Sequence, residues 1–396
     1  MKYDVIIIGA GAAGLFLASK LKVNNGLIID GNSSPGEKLL ITGQGSCNIT
    51  NGCDIKEFPK KYGENGRKIR RLLYKYSNVK LMEHMEHLGV PLFQREDGKV
   101  FPKSLKASDV LDALLDTAKN NGFKINLNEK VINIEDDNSV VTEKKKYKFN
   151  KLVIATGGKS YPDTGSDGSM LDILKNKGIE VLELKPGLTP IFVENYPYKI
   201  ASGVSFKDIE INIDEHKTKG DVLLTHRGFS GPGILRISEF AMPGKKLTLS
   251  FVKDIKYPKT EGVSKSVLNY LTDYLDLPKN FIKGTLLKVG INEDDKMSSV
   301  ALGNIKATID ELKNMEFSVS GTGGFAQAMV TAGGISLEEL DLSTFEMKKR
   351  KNVYAIGEVT DISGDTGGFN LQYAYSSAMA VAHTIHSIDV NSVFPR

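Results

Sequence analysis

Three glycines and one acid carry the first chemistry visible in this chain. In YDVIIIGAGAAGLFLASKL, Gly9, Gly11 and Gly14 have the spacing G-x-G-x-x-G, and Asp30 follows sixteen residues after Gly14. Glycines so placed allow a tight turn, let the backbone approach a pyrophosphate and let a helix pack on a strand. A helix starting among them turns unpaired N–H groups toward phosphate oxygens, and Asp30 can accept hydrogen bonds from an adenosine ribose. The chemistry is dinucleotide binding, which requires a strand before the glycines and a helix after them. Both are present: Val5 to Ile8 reads as a buried strand, Leu15, Ala18 and Leu21 recur at helical spacing, and GLIID (26–30) is the next apolar run.

The two cysteines, Cys47 and Cys53, lie together in GQGSCNITNGC. A redox dithiol at this place needs electrons from a second nucleotide site. GPGILR (231–236) follows no buried strand, and GTGGFAQ (321–327) has no acid at the required distance, so neither supplies one. The pair closes only if its Cα atoms come within about 4.4–6.8 Å. The pattern favours two free thiols, as a reducing cytoplasm would keep them, with Cys47 a candidate proton donor or substrate contact. His226 in THRGFSGP and Tyr161 in KSYPD are further candidate proton donors. The six histidines form no His-Glu-x-x-His pattern and no G-x-S-x-G elbow occurs, so neither a metal site nor a serine hydrolase is expected.

Near the C-terminus, VYAIGEVTD has the form of the second flavin contact of flavoproteins: an apolar strand ending in Gly357 and Glu358. Gly357 lets a ribitol approach and Glu358 can accept its hydroxyl. Gly367 and Gly368 then precede a helix starting near Asn370, whose positive end suits the pyrimidine edge of a reduced flavin. That order favours FAD over NAD.

The elements that must position these residues divide the chain. KLVIATGG (151–158) and NVYAIGEVTD (352–361) are further strands of the first fold. Between them IEINID (209–214) and LTLSF (247–251) alternate with period two, whereas 266–275 and 304–315 have helical spacing. The expected class is α/β: a nucleotide-binding domain from 1–187 and 327–396, an inserted β domain at 188–252 with a return strand near 316–326, and a small helical domain at 253–315. No apolar run approaches the roughly 18 residues of a membrane span, and Asp4 and the early glycines are foreign to a secretory leader, so the expected location is cytoplasmic. Net charge is +4, but residues 56–80 alone carry +7. There Ile69, Leu72, Leu73 and Tyr76 predict a helix with one buried face that shows Arg67, Lys68, Arg70, Arg71 and Lys75 to solvent.

EKLLITGQGSCNITN (37–51), GKVFPKSLKASDVLDALL (98–115), ATGGKSYPDTGSDG (155–168), LLTHRGFSGPGIL (223–235), VTAGG (330–334) and GEVTDISGDTGGFNLQYAYSSAMA (357–380) closely resemble the BaiN/YhiN-like flavoproteins, also called aminoacetone-oxidase-like. The resemblance spans nearly the whole chain. It implies a glutathione-reductase-type FAD-binding Rossmann-like domain, made of both chain ends, with an inserted β-barrel-like domain and a small helical domain. Carried over by position, it implies noncovalent FAD on Gly9, Gly11, Ala13 and Gly14 at the pyrophosphate and on Asp30 and Lys38 at the adenosine side. Thr42, Gly43 and Gly45 would lie along the ring or pyrophosphate, and Val131 would present backbone to adenine. Thr156, Gly157 and Gly158 would close the near side, and Gly357, Glu358, Gly368, Phe369, Asn370 and Leu371 the ribitol and ring. The sequence departs from the family pattern where TGQGSCN replaces SGGGRCN and GSDGSML replaces GSTGDGY.

The first expectation for activity is therefore NAD(P)H-driven reduction of a C=C bond conjugated to a carbonyl, in a steroid-like enone or in uridine of ribosomal RNA, with NAD(P)H a transient reductant. The alternatives are an FAD oxidase of small amines using O2, or a flavoprotein acting mainly as an RNA- or protein-binding module.

Overall fold

The computed structural model describes residues 2–253 and 255–393. They form two compact units, one of Met1–Pro186 with Met329–Arg396 and one of Gly187–Ala328. No helix among the described residues is long and apolar enough to cross a membrane.

The first unit is built on a parallel sheet. Lys2–Ile8 lies between Gly26–Ile29 and Lys146–Ile154, and Phe123–Asn126 adds beyond Gly26–Ile29. The nine-residue strand Lys146–Ile154 is shared. Its first half pairs antiparallel with Ser139–Thr142, which continues into Val131–Glu135, and its last three residues pair in parallel with Val353–Ala355. Val5, Ile6, Ile7 and Ile8 are all buried, as strands covered on both faces must be. The register decides the site: Ile8 is level with both Ile29 and Ile154, and Ile154 is level with Ala355. The chain segments after these residues, beginning at Gly9, Asp30, Ala155 and Ile356, therefore leave the sheet along one edge, where open α/β sheets bind ligands.

Helix Ala12–Lys20 packs against the last helix, Phe369–Val393, which joins the C-terminal part of the chain to the N-terminal fold. Phe16 meets Tyr375 edge to face at 5.6 Å. The basic segment packs here too, but not as one helix. It forms two 3-10 stretches, Ile55–Lys61 and Gly63–Arg67, and two helices, Arg70–Lys75 and Asn78–His87. Pro59 interrupts helical hydrogen bonding, and Gly66 sits so tightly on it that a Cβ would lie 1.7 Å from the Pro59 carbonyl oxygen. Ile69, Leu72 and Leu73 are buried as their spacing predicts, while Tyr76 is only half-buried.

The second unit contains a closed barrel in the order Ile191–Val193, Gly228–Ser230, His216–Leu224, Ser205–Ile213, Lys246–Ser250 and Met315–Thr322. Ile209, Ile211, Ile213, Leu247 and Leu249 all face its core, so the period-two alternation is realised as inward and outward positions. Helices Val267–Leu275, Lys279–Val289 and Leu302–Lys313 share that core. The α/β class, the Rossmann-type sheet, the barrel and the accompanying helices are all present.

One half-buried histidine makes the first unit sensitive to acid. His84 Nε2 lies 2.9 Å from Ser19 Oγ, and its ring lies 5.6 Å from that of Tyr375. Burial, with Lys20 and His87 nearby, pushes its pKa from 6.5 down to about 4. The unfolded chain takes up this proton near 6.5 and the folded chain only near 4, so stability falls as pH is lowered through that window. Urea midpoints are expected to drop between pH 7 and pH 4.5, and to drop less in His84→Gln. The difference should approach roughly 2–3 kcal/mol by pH 4, and equal slopes for the two proteins would refute it.

Candidate functional site

The glycine loop is held by Asp30. Gly9 N donates to Ile29 O at 2.8 Å and Ala10 N to Asp30 Oδ2 at 2.6 Å, while Asn32 N donates to Asp30 Oδ1 at 2.8 Å. Burial pushes the Asp30 carboxyl up, and the two N–H groups only partly offset it. The acid read as a ribose acceptor thus also pins the loop to the second strand. The three glycines serve different needs. A Cβ on Gly9, at φ +104°, would meet Ala155 O at 2.5 Å, and one on Gly14 would meet Gly9 O at 2.1 Å. A Cβ on Gly11 would meet nothing within 4 Å. Gly9 and Gly14 are therefore required by packing, whereas Gly11 begins a nine-residue helix over open space. The helix's first N–H groups have no carbonyl of their own and suit an anion there.

Beside this loop is a cavity of about 220 Å³, lined by Gly9, Asp30, Asn32, Val131, Thr156 and Gly157 among others. The Oγ1 atom of Thr156 is buried in its wall without a hydrogen-bond partner. An unmet hydroxyl of that kind costs about 1–3 kcal/mol, which a ligand oxygen would recover. Glu129, also in the wall, is buried. Its carboxylate accepts from Tyr147 and Thr142 at 2.7 Å each and from Asn126 at 3.1 Å. Burial alone would raise its pKa, but these three bonds outweigh it and hold the group below the ordinary glutamate value. Lys130 and Asp167 line the same cavity and pair at 2.7 Å. The open cradle at Gly11 and the orphaned Thr156 hydroxyl both fit a dinucleotide.

A second polar centre lies around Glu358. Its Oε1 accepts from Ser160 Oγ and from Thr331 N at 2.7 Å each, and its Oε2 accepts from Lys38 Nζ at 2.6 Å. Lys38 also donates to Ser160 Oγ at 2.5 Å. The resemblance puts Lys38 at the adenosine side and Glu358 at the ribitol; the structure joins the two side chains. Gly357, at φ +70°, packs on the first helix, where a Cβ would meet Ala13 Cβ at 2.7 Å. Gly158 is required by Thr331, whose Oγ1 would lie 2.4 Å from a Cβ.

The remaining expected residues are distributed unevenly. Thr42 Oγ1 donates to Lys38 O at 3.0 Å, and the loop after it runs through left-handed Gly43, Gln44, Gly45 and Cys47. Cys47 has no exposure, and burial pushes its thiol up to about 12, a state ill-suited to proton donation; Cys53 is half-buried, and both are free. Gly368 lies against Thr50, and Phe369 is buried edge-on to Phe58 at 5.0 Å. The Asn370 amide is engaged by Gly364 and Asp365. Leu371 is half-buried at the edge of the core. Tyr161 adopts φ +53° and is half-buried beside Ser160. His226 belongs to the second unit, exposed in the turn that Thr225 N closes on Gly228 O. Sequence reasoning missed Glu129, Ser160 and Thr331. The last two stand inside the quoted motifs ATGGKSYPDTGSDG and VTAGG, so adjacency was the available signal; for Glu129 there was only its nearness to Val131.

Comparison with known proteins adds a family. The model of the HI0933-like protein Rossmann domain matches residues 3–384. The ribosomal RNA dihydrouridine synthase of Escherichia coli strain K12 is 30% identical over 97% of this chain and 98% of its own. The 3-dehydro-bile acid delta(4,6)-reductase of Clostridium scindens is 25% identical over 94% and 96%. Among solved structures, 3-ketosteroid-delta4-(5alpha)-dehydrogenase from Rhodococcus jostii RHA1 superposes with a TM-score of 0.51 at 14% identity, covering 96% of this chain and 97% of its own; at that identity the likeness is one of fold.

The glycine-rich loop yields two checks. In native protein a thiol reagent should modify Cys53 alone, with Cys47 reacting only in denaturant; two fast native thiols would contradict the burial. Gln44 occupies φ +57°, so Gln44→Gly should raise stability by about 1 kcal/mol, read from urea midpoints.

Proposed function

The chain belongs to the family of HI0933-like Rossmann-domain proteins, and on that premise we propose that it is an FAD-dependent oxidoreductase that reduces a C=C bond conjugated to a carbonyl, with uridine in ribosomal RNA as its substrate. The observation that carries the reading is the cradle at Gly11 beside the unpartnered Thr156 hydroxyl, on the same sheet edge as the acid Glu358. The RNA substrate is supported by the relative named for dihydrouridine synthesis, which matches along nearly the full length of both chains. The uracil ring and a 3-keto steroid diene share the reactive group, a double bond conjugated to a carbonyl, so one site chemistry accounts for both named relatives.

FAD bound on these residues would supply the hydride chemistry for reducing that double bond. Everything else falls to the chain. The first N–H groups of the helix at Gly11 and the Thr156 hydroxyl hold the pyrophosphate, and Asp30 holds the adenosine ribose. Glu358, held in place by Ser160, Thr331 and Lys38, accepts a ribitol hydroxyl. Tyr161 supplies the proton that completes the addition; a bulky residue held at φ +53° is strained, and strain of this kind collects at functional positions. NAD(P)H docks transiently as reductant, since the chain has one dinucleotide fingerprint. FAD stays noncovalent.

Purified protein should be yellow and release FAD on acid precipitation; release of FMN would refute the cofactor. Gly11→Val should fold as the parent does, because its side chain enters open space, yet bind no flavin. Anaerobic NADH or NADPH should bleach the flavin, and ribosomal RNA should restore its colour while losing uridine 5,6-unsaturation. Tyr161→Phe should slow that second step by about 100-fold or more without changing the first. Reoxidation by a small conjugated ketone but not by RNA would replace the substrate and keep the reaction.

A further inference from the structure

We propose that Arg67, Arg70 and Arg71 form a docking surface for the phosphate backbone of folded RNA, placed to present that RNA to the Glu358 side of the site; the inference rests on the RNA substrate proposed above. Of the nine cations in residues 56–80, several have local partners. Lys60 pairs with Glu57 at 2.8 Å, Lys61 with Asp365 at 3.7 Å and Lys68 with Glu338 at 3.6 Å. Lys80 donates to the Lys75 carbonyl at 2.8 Å, and Lys75 lies 5.3 Å from the Tyr76 ring centre. Arg67, Arg70 and Arg71 are exposed and make no ion pair among the described residues.

They are also close together. Ile69 N donates to Asn65 O and Leu73 N to Ile69 O, so 65–73 runs as continuous turns. Residues three and four apart on such turns are neighbours, and like charges there repel. Three neighbouring guanidiniums repel one another, and their planar donor forks match phosphate oxygens.

The segment is fastened to the site loop rather than free of it. Asn65 Nδ2 donates to both Asp361 O and Asp361 Oδ2 at 2.8 Å. Asp365 N donates to Lys61 O at 2.8 Å, and Tyr62 OH to Phe369 O at 2.7 Å. Residues 361–369 continue directly from Glu358 and include Gly368, so the arginines and the ribitol-side residues are held by one set of contacts. A polyanion on the arginines therefore lies beside that loop.

The test compares an in vitro transcribed ribosomal RNA fragment binding to the flavin-loaded parent, to Arg67→Ala/Arg70→Ala/Arg71→Ala, and to a control with equal charge loss, Lys144→Ala/Lys148→Ala/Lys351→Ala, exposed elsewhere on the first unit. The arginine variant should bind at least about tenfold more weakly near 0.1 M salt and lose about two units from the log–log salt slope, at roughly 0.7–0.9 per phosphate. Its flavin content and bleaching by NAD(P)H should match the parent, and the control should bind as the parent does. If the parent binds RNA and the arginine variant binds equally well, the surface is wrong while the RNA substrate stands. If the parent binds no better than a neutral protein, both fail. Retention on phosphatidylserine vesicles stronger than on RNA, lost with the same arginines, would make the partner a membrane surface and overturn the proposal.

Discussion

The backbone of Gly9 passes so close to Ala155 that a Cβ on it would lie 2.5 Å from the Ala155 carbonyl oxygen, and the rest of the site depends on that approach. It lets the first strand turn into its helix while remaining paired with Lys146–Ile154 up to its last residue, Ile8. The segments beyond Ile8, Ile29, Ile154 and Ala355 then leave along one edge. Gly14 tightens the same turn from the helix side, because a Cβ there would strike Gly9 O at 2.1 Å. Two of the three fingerprint glycines thus answer to packing. Only Gly11 has open space where a Cβ would stand.

A partly buried ion pair closes the arrangement at the other end of the cradle. The side chains of Lys38 and Glu358 are 25% and 22% exposed, so neither charge is fully hydrated. Each is compensated beyond the pair itself: Ser160 bonds to both, and Thr331 N bonds to the carboxylate. Such a centre is costly to break from one side, since the abandoned charge keeps its desolvation without its partner. It also joins residues 320 apart in the chain, which makes both chain ends parts of one binding unit. The basic segment joins the same unit through Asn65, Tyr62 and Lys61, so a surface of exposed charge and an interior polar centre are connected by hydrogen bonds rather than by proximity in sequence.

Local order was legible because its causes are local. The βαβ unit follows from a four-residue apolar run, three glycines and a helical repeat within about thirty residues, and the barrel strands follow from alternation at Ile209, Ile211 and Ile213. Even the strand Val353–Ala355 before Gly357 and Glu358 could be read, since an apolar run ending in glycine and an acid is a contiguous signal. The buried face of Ile69, Leu72 and Leu73 was legible for the same reason. The break in that segment was not, because it depends on Gly66 fitting against the Pro59 carbonyl, a contact that helical periodicity does not encode.

Tertiary structure alone decided which partner each polar group takes. The resemblance puts Lys38 at the adenosine side, and only the fold brings its ammonium onto Glu358. Glu129 drew no reading from the sequence, and a hairpin brings Tyr147 and Thr142 onto its carboxylate. Asn370, expected at the ring, spends its amide on residues 364 and 365. Cys47, in a loop of glycines and polar residues, ends without exposure. Backbone preference and hydrophobic period are properties of neighbouring residues and are written in their order. The protonation, burial and pairing of a charged or polar side chain depend on which distant segments arrive beside it, and only the folded chain supplies them.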